Sequence, residues 1–181
     1  QGLTLASFVQ LYADHCIALS NLIQARDDAN ILVEGWGYGG DFATLNTTMI
    51  NGVSALNYLR AGIGADLIWS AHLYPGWAGT GNAADPTALA ALLDAHFAPL
   101  TGNNVIVTET NISGTVDDPS AADDVVDFFA ASFEWFADNG IGIGWFPFNS
   151  TGASSLIWFD SARPQFRPQH SLAPAMNAFS L

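Results

Sequence analysis

"DPTALAALLDAHFAPLTGNNVIVTETN", residues 85–111, holds the pattern on which the fold turns. Asp85 reads as a helix N-cap, and Pro86 occupies the first helical position, where a missing N–H costs nothing. An Ala- and Leu-rich stretch then runs to Leu100, and a short polar connection leads into the β-branched run "VIVT". The run stops at Glu109, one of only three glutamates in the chain with Glu34 and Glu134. A carboxylate at the end of a buried strand is costly unless it is paired or faces a working site.

The same order, helix then strand, occurs three more times. "ASFVQLYADHCIALSNLIQARDD" (6–28) leads into "ILVEGWGYGG" (31–40), and "NTTMINGVSALNYLRAG" (46–62), with Asn46 or Thr47 as cap, leads into "LIWSAHLYPGW" (67–77). "DPSAADDVVDFFAASFEWFADNG" (118–140) opens on Asp118 and Pro119, stops at Gly140, and precedes "IGIGWFPFNS" (141–150). Strands that alternate with helices of a dozen or more residues form a parallel sheet through right-handed crossovers. The fold class is α/β, and 181 residues form a single α/β unit around one core.

Composition narrows the function. Seventeen acidic residues face four arginines and no lysine, a formal charge of −13 that repels phosphate backbones and anionic lipid. Nucleic acid and membrane are therefore excluded as partners, and no apolar stretch is long enough for a transmembrane helix. No G-x-S-x-G elbow, P-loop or G-x-G-x-x-G follows a strand. The Asp-Asp pairs at 27, 117 and 123 lack the ligand spacing of an EF-hand. His15, His96 and His170 have no partners at metal spacing, so no metal and no cofactor is expected. Cys16 is the single cysteine and cannot form an intrachain disulfide, so the redox compartment stays open. The sequons at Asn46, Asn111 and Asn149 matter only in a eukaryotic secretory setting.

In parallel α/β folds, functional side chains gather at the carboxyl ends of the strands. Those ends carry Glu34, Trp36 and Tyr38; His72, Tyr74 and Trp77; Glu109 and Asn111; and Trp145, Phe148 and Asn149. Indoles that stack on sugar rings, polar tips that bind hydroxyls and carboxylates that act on a glycosidic bond suit a carbohydrate. Trp69 and Trp135 read as packing residues, and Glu134 as a solvated position.

"HLYPGW", "VIVTET" and "GIGWFPF", in that order at one-βα spacings, resemble strands six, seven and eight of clan A glycoside hydrolases, family 5 above all. The resemblance implies a (β/α)8 barrel of the TIM type, with this chain supplying strands five to eight, and retaining hydrolysis of a β-linked glycan. It implies Glu109 as nucleophile, with His72 and Tyr74 orienting it and contacting substrate, and Trp145 as sugar platform. Trp36, Trp77 and Asn111 complete the substrate contacts, and Glu34 is a secondary acid. The family's acid/base glutamate follows an asparagine at the end of strand four, and no Asn-Glu pair occurs in the chain. A complete barrel needs about 250 residues, so a second chain or missing segment is expected to complete it and to supply the acid/base. Oligo- or polysaccharide is then the substrate, and the location extracellular or cell-surface. The alternative is a barrel-derived carbohydrate-binding or structural assembly subunit without catalysis. A half barrel also leaves an apolar sheet layer, Val33, Ile68, Val107 and Ile143 or their immediate neighbours, without cover, so the chain is not expected to be a stable monomer.

Overall fold

The computed structural model describes residues 4–73, 86–110, 132–144, 149–150, 157–160 and 165–168. In chain order these form α1 (Leu5–Gln24), β1 (Ile31–Glu34), a single turn α2 (Trp36–Gly39), α3 (Phe42–Thr47), β2 (Met49–Ile50), β3 (Val53–Ser54), α4 (Ala55–Ile63), β4 (Leu67–His72), α5 (Pro86–Phe97) and β5 (Val105–Glu109). Helical residues 132–138 then precede β6 (Gly142–Ile143), β7 (Asn149–Ser150), β8 (Ile157–Asp160) and β9 (Gln165–Pro168). The main sheet has the order β1-β4-β5-β6, the order in which the four βα units occur. β1 runs parallel to β4 with Ile31 opposite Leu67, and β5 parallel to β6 with Val107 opposite Ile143. The chain divides into two compact units, residues 1–71 with 97–105, and 72–96 with 106–181.

In the first unit α1 starts where Thr4 caps it. The Thr4 side chain accepts the Ser7 N–H, and the Thr4 N–H donates to the Ser7 hydroxyl, so two end amides are satisfied reciprocally. Val9 and Ala13 of α1, Leu45 of α3, and Leu56 and Leu59 of α4 are buried around Val33 and Trp69. Trp69 meets Phe42 edge to face at 5.9 Å, the geometry the ring quadrupoles favour. α1 and α4 pack closely enough that a Cβ on Gly62 would collide with Ile17. Tyr58 donates to Asp14 at 2.9 Å, and Gln24 donates to Asp66 at 2.8 Å, tying α1 to α4 and to the turn before β4. Arg60 reaches the Pro99 carbonyl at 3.0 Å, and burial pulls its pKa below the usual guanidinium range.

Two expectations change here. The helix expected to start at Asn46 or Thr47 starts at Ala55, with the Ser54 hydroxyl accepting the Asn57 N–H. Asn46 and Thr47 instead end α3, which Asp41 caps. Between the helices Asn51 and Gly52 both adopt positive φ, 51° and 86°, which closes a two-residue hairpin between β2 and β3. The Asn-Gly pair is the signal for that turn. The exposed sheet layer also differs in its members: Val33 and Val107 are buried, whereas Leu32, next to Val33, is 52% exposed. Ile68, opposite Leu32 in the register, is half-buried. Alternation sends Ile31 and Val33 toward the helices and Leu32 and Glu34 away from them.

In the second unit Leu89 and Leu93 of α5, Val107 of β5, and Phe133 and Phe136 are buried. Trp135 donates its indole N–H to Asp94 at 2.8 Å and meets Phe136 edge to face, as a packing residue does. Glu134 is exposed. Past β6 the chain adds a three-stranded sheet that the sequence pattern did not announce. In it β7 runs parallel to β8, and β8 antiparallel to β9. Asp85 and residues 118–131, on which the expected caps and most of the fourth helix fall, lie outside the described residues.

Candidate active site

His72 is the last residue of β4 and Glu109 the last residue of β5. The Leu73 N–H donates to the Glu109 carbonyl at 3.0 Å and holds the two strand ends level. Further down, the Trp69 N–H donates to the Asn104 carbonyl at 2.9 Å. Between these two bonds β4 advances four residues, from Trp69 to Leu73, while β5 advances five, from Asn104 to Glu109. The extra residue is a β-bulge in β5, and it changes the parity of everything after it. Without the bulge, two-residue alternation would place Glu109 on the face of Trp69 and Ala71, both fully buried. With it, Glu109 shares the face of His72.

The result is an imidazole–carboxylate pair, His72 Nδ1 to Glu109 Oε2 at 3.5 Å, with the side chains 14% and 27% exposed. That exposure leaves the carboxylate reachable from solvent while its rotation is limited by the imidazole. Gly144 follows β6 with its N–H on the Val107 carbonyl, and a Cβ at Gly144 would stand 3.2 Å from the Thr108 carbonyl. A glycine there lets the backbone of the two strands approach next to the bulge.

Glu34 and Trp36 belong to the first unit. Glu34 ends β1 with an exposed side chain, and its backbone carbonyl accepts the Tyr12 hydroxyl. Trp36 is half-buried, meets the Tyr12 ring edge to face at 5.7 Å, and exchanges backbone hydrogen bonds with Asp41 at 3.1 and 2.9 Å. Tyr12 is thus the residue that holds the end of β1, a role the sequence reading missed because α1 showed only its periodicity. Burial pushes the Tyr12 phenol far above its usual range, with the adjacent Cys16 adding to the shift, and burial likewise raises the Cys16 thiol. Tyr38 is 88% exposed at φ 57°. Tyr74, Trp77, Asn111 and Trp145, the remaining substrate contacts expected from sequence, lie outside the described residues, and so do Pro147 and Phe148.

Among the described residues no three His, Cys, Asp or Glu side chains come together as a metal cluster. No helix among them is long and apolar enough to cross a membrane.

A histidine and a glutamate thus stand side by side at the carboxyl ends of neighbouring parallel strands, where parallel α/β folds gather functional side chains. Solved structures share the α/β fold. PbGH5A, a glycoside hydrolase family 5 enzyme from Prevotella bryantii B14, matches with a TM-score of 0.64 at 17% identity, covering 96% of this chain and 51% of that one. The endo-β-mannanase/endo-β-glucanase PbGH26A-GH5A of Prevotella bryantii matches with the same TM-score and identity over 96% of this chain and 26% of that one. The Pseudomonas stutzeri endoglucanase Cel5A matches with a TM-score of 0.58 at 17% identity, over 97% of this chain and 52% of that one. The chain therefore has a fold similar to that of family 5 glycoside hydrolases, and it spans about half the length of PbGH5A and Cel5A. No family model and no curated protein matches the sequence.

Proposed function

We propose that this chain is the strand-five-to-eight half of a retaining glycoside hydrolase acting on a β-linked glucan or mannan, with Glu109 as the nucleophile. The observation that carries the reading is the His72–Glu109 pair at the ends of neighbouring strands, placed on one face by a bulge. In the proposed reaction one Glu109 oxygen attacks the anomeric carbon as the glycosidic oxygen leaves. The leaving oxygen takes a proton from an acid on the missing half, and water releases the sugar from Glu109 in the second step. His72 limits the rotation of the carboxylate during attack. Trp145 is the proposed platform under the sugar, and Tyr74, Trp77 and Asn111 are proposed to touch its hydroxyls. Trp36 and Glu34 are proposed to contribute from the end of β1.

The acid/base is proposed to stand about 5–5.5 Å from Glu109, the separation that allows direct attack; about 6.5–9.5 Å would mean inversion. An extracellular or cell-surface location is proposed with it, because a polymeric glycan is met outside the cell. The experiment is a comparison of Glu109→Gln with the unmutated chain in the complete barrel, assayed on β-glucan and β-mannan oligosaccharides. Lost turnover with retained binding supports the enzyme. Binding without turnover in the unmutated barrel replaces it with the non-catalytic carbohydrate-binding subunit.

A further inference from the structure

The bulge in β5 has to be housed by the strand on its other side. In an evenly spaced parallel ladder the Trp69 N–H on the Asn104 carbonyl would be followed, four residues along each strand, by the Leu73 N–H on the Thr108 carbonyl. Leu73 instead donates to Glu109 at 3.0 Å, so Thr108 is the extra residue. Burial repeats the count: Val107 and Thr110 are 0% and 1% exposed, with Thr108 and Glu109 both half-buried between them, a spacing of three where alternation gives two. The Thr108 carbonyl, displaced from Leu73, stands 3.2 Å from the place that a Cβ would take on Gly144. The two glycines of "IGIG" (141–144) are therefore not equivalent. A Cβ on Gly142 would meet only Ile106 side-chain atoms, at 3.7 and 3.9 Å, an ordinary contact. A Cβ on Gly144 would press on backbone, with the Val107 carbonyl oxygen at 3.6 Å beside that of Thr108, and backbone has no rotamer to change. The Val107 carbonyl also holds the Gly144 N–H at 2.6 Å, so Gly144 cannot retreat without giving up that bond between β5 and the end of β6.

We propose that Gly144 is a positioning residue for Glu109. The missing side chain at this one position leaves room for the Thr108 carbonyl beside the end of β6, and the bulge so accommodated turns the Glu109 carboxylate to His72. The inference rests on the reading of Glu109 as nucleophile and adds the residue that sets its direction. Gly144 touches neither Glu109 nor His72 through a side chain, because it has none; it acts through the backbone of Thr108. A methyl group there forces the Thr108 carbonyl to give by a few tenths of an ångström. That movement loosens the Leu73–Glu109 bond, the next link along the strand, and swings the carboxylate away from the imidazole. A misplacement of about 1 Å costs about a hundredfold in rate, so a displacement of this size costs about tenfold.

The test compares Gly144→Ala, Gly142→Ala and the unmutated protein in the complete barrel, by turnover on β-glucan and β-mannan oligosaccharides, by calorimetric Kd, and by amide hydrogen exchange of Leu73 followed by NMR. Gly144→Ala lowers kcat about tenfold or more with Kd unchanged, and Leu73 exchanges about tenfold faster; Gly142→Ala leaves all three at their unmutated values. Deleting Thr108 supplies the rescue. It removes the extra residue, so a regular ladder brings the Glu109 carbonyl to Leu73 on the face of His72, and Gly144→Ala in that background changes kcat and Leu73 exchange less than twofold. Where Gly144→Ala alone does not fold, recovery of the fold by the Thr108 deletion supports the proposal, and failure of the double variant to fold overturns it. Gly144→Ala with kcat and Leu73 protection intact overturns it too, as does an equal effect of Gly142→Ala. A barrel without turnover removes the glycosidase reading, whereas Leu73 exchange still reports on Gly144, so the two failures are distinct.

Discussion

Replacing Gly62 by alanine sets two effects of opposite sign against each other. Within a helix, alanine is favoured over glycine by about 1 kcal/mol because it restricts the unfolded chain and shields the backbone. Gly62 is the eighth of nine residues in α4, so part of that gain is lost to end fraying. Against it stands Ile17 on α1, whose Cδ1, Cγ1 and Cγ2 all crowd the place of the new Cβ. Two of those atoms lie close to the Ile17 backbone, so a rotamer change alone cannot clear the site. Overpacking of this kind costs about 1–3 kcal/mol. The sum is a net destabilisation of about 1–2 kcal/mol. In an Ile17→Ala background the obstruction is gone, and the same Gly62→Ala change becomes stabilising by up to about 1 kcal/mol. Urea titration of the four variants of this double-mutant cycle, each within the complete barrel and followed by far-UV circular dichroism, measures both numbers. A Gly62→Ala change that stabilises the wild-type background, or one whose effect does not reverse sign in the Ile17→Ala background, would refute the close α1–α4 packing.

Ser54→Ala removes the cap of α4 and costs about 1 kcal/mol, whereas Asn46→Ala and Thr47→Ala leave α4 unchanged; urea midpoints of the three variants decide between the two starts. Tyr12 and Cys16 both hold their protons more tightly in the folded chain than in the unfolded one. Stability is therefore fully present below the unfolded thiol and phenol values of about 8.5 and 10 and falls as pH rises through them; urea midpoints between pH 7 and 11 read the loss, and a midpoint that stays level sinks the burial argument. Alkylation of Cys16 by iodoacetamide in the folded chain lags an unfolded control at pH 8.5 for the same reason. In the complete barrel Glu109→Gln lowers turnover by about a thousandfold or more with oligosaccharide affinity retained, and His72→Ala lowers kcat while a titration calorimetry Kd holds; equal losses in binding would contradict the roles given to the pair.

The helix–strand alternation, the helix start at Pro86 and the placing of Glu109 at a strand end were all legible in the sequence, because 3.6- and two-residue periodicities and a proline at a helix start are local properties. The order of the main strands was legible too, since short right-handed connections leave consecutive parallel units few places to go. The hairpin before α4 had a local signal in Asn51-Gly52, but it was hidden inside a stretch whose apolar residues also fit a helix. Other features had no local signal at all. Strict alternation from Val107 assigns Glu109 to the buried face, and only the pairing of β5 with β4 introduces the extra residue that turns it toward His72. The sequence of α1 shows apolar residues at helical spacing, yet which of them are core depends on where α4 and the sheet lie. Val9 and Ala13 are buried and Phe8, Leu19 and Leu22 are not, a division that hydropathy cannot make because both sets are apolar. Periodicity is a property of one segment, whereas register and burial belong to pairs of segments, and pairs are decided only when the chain has folded.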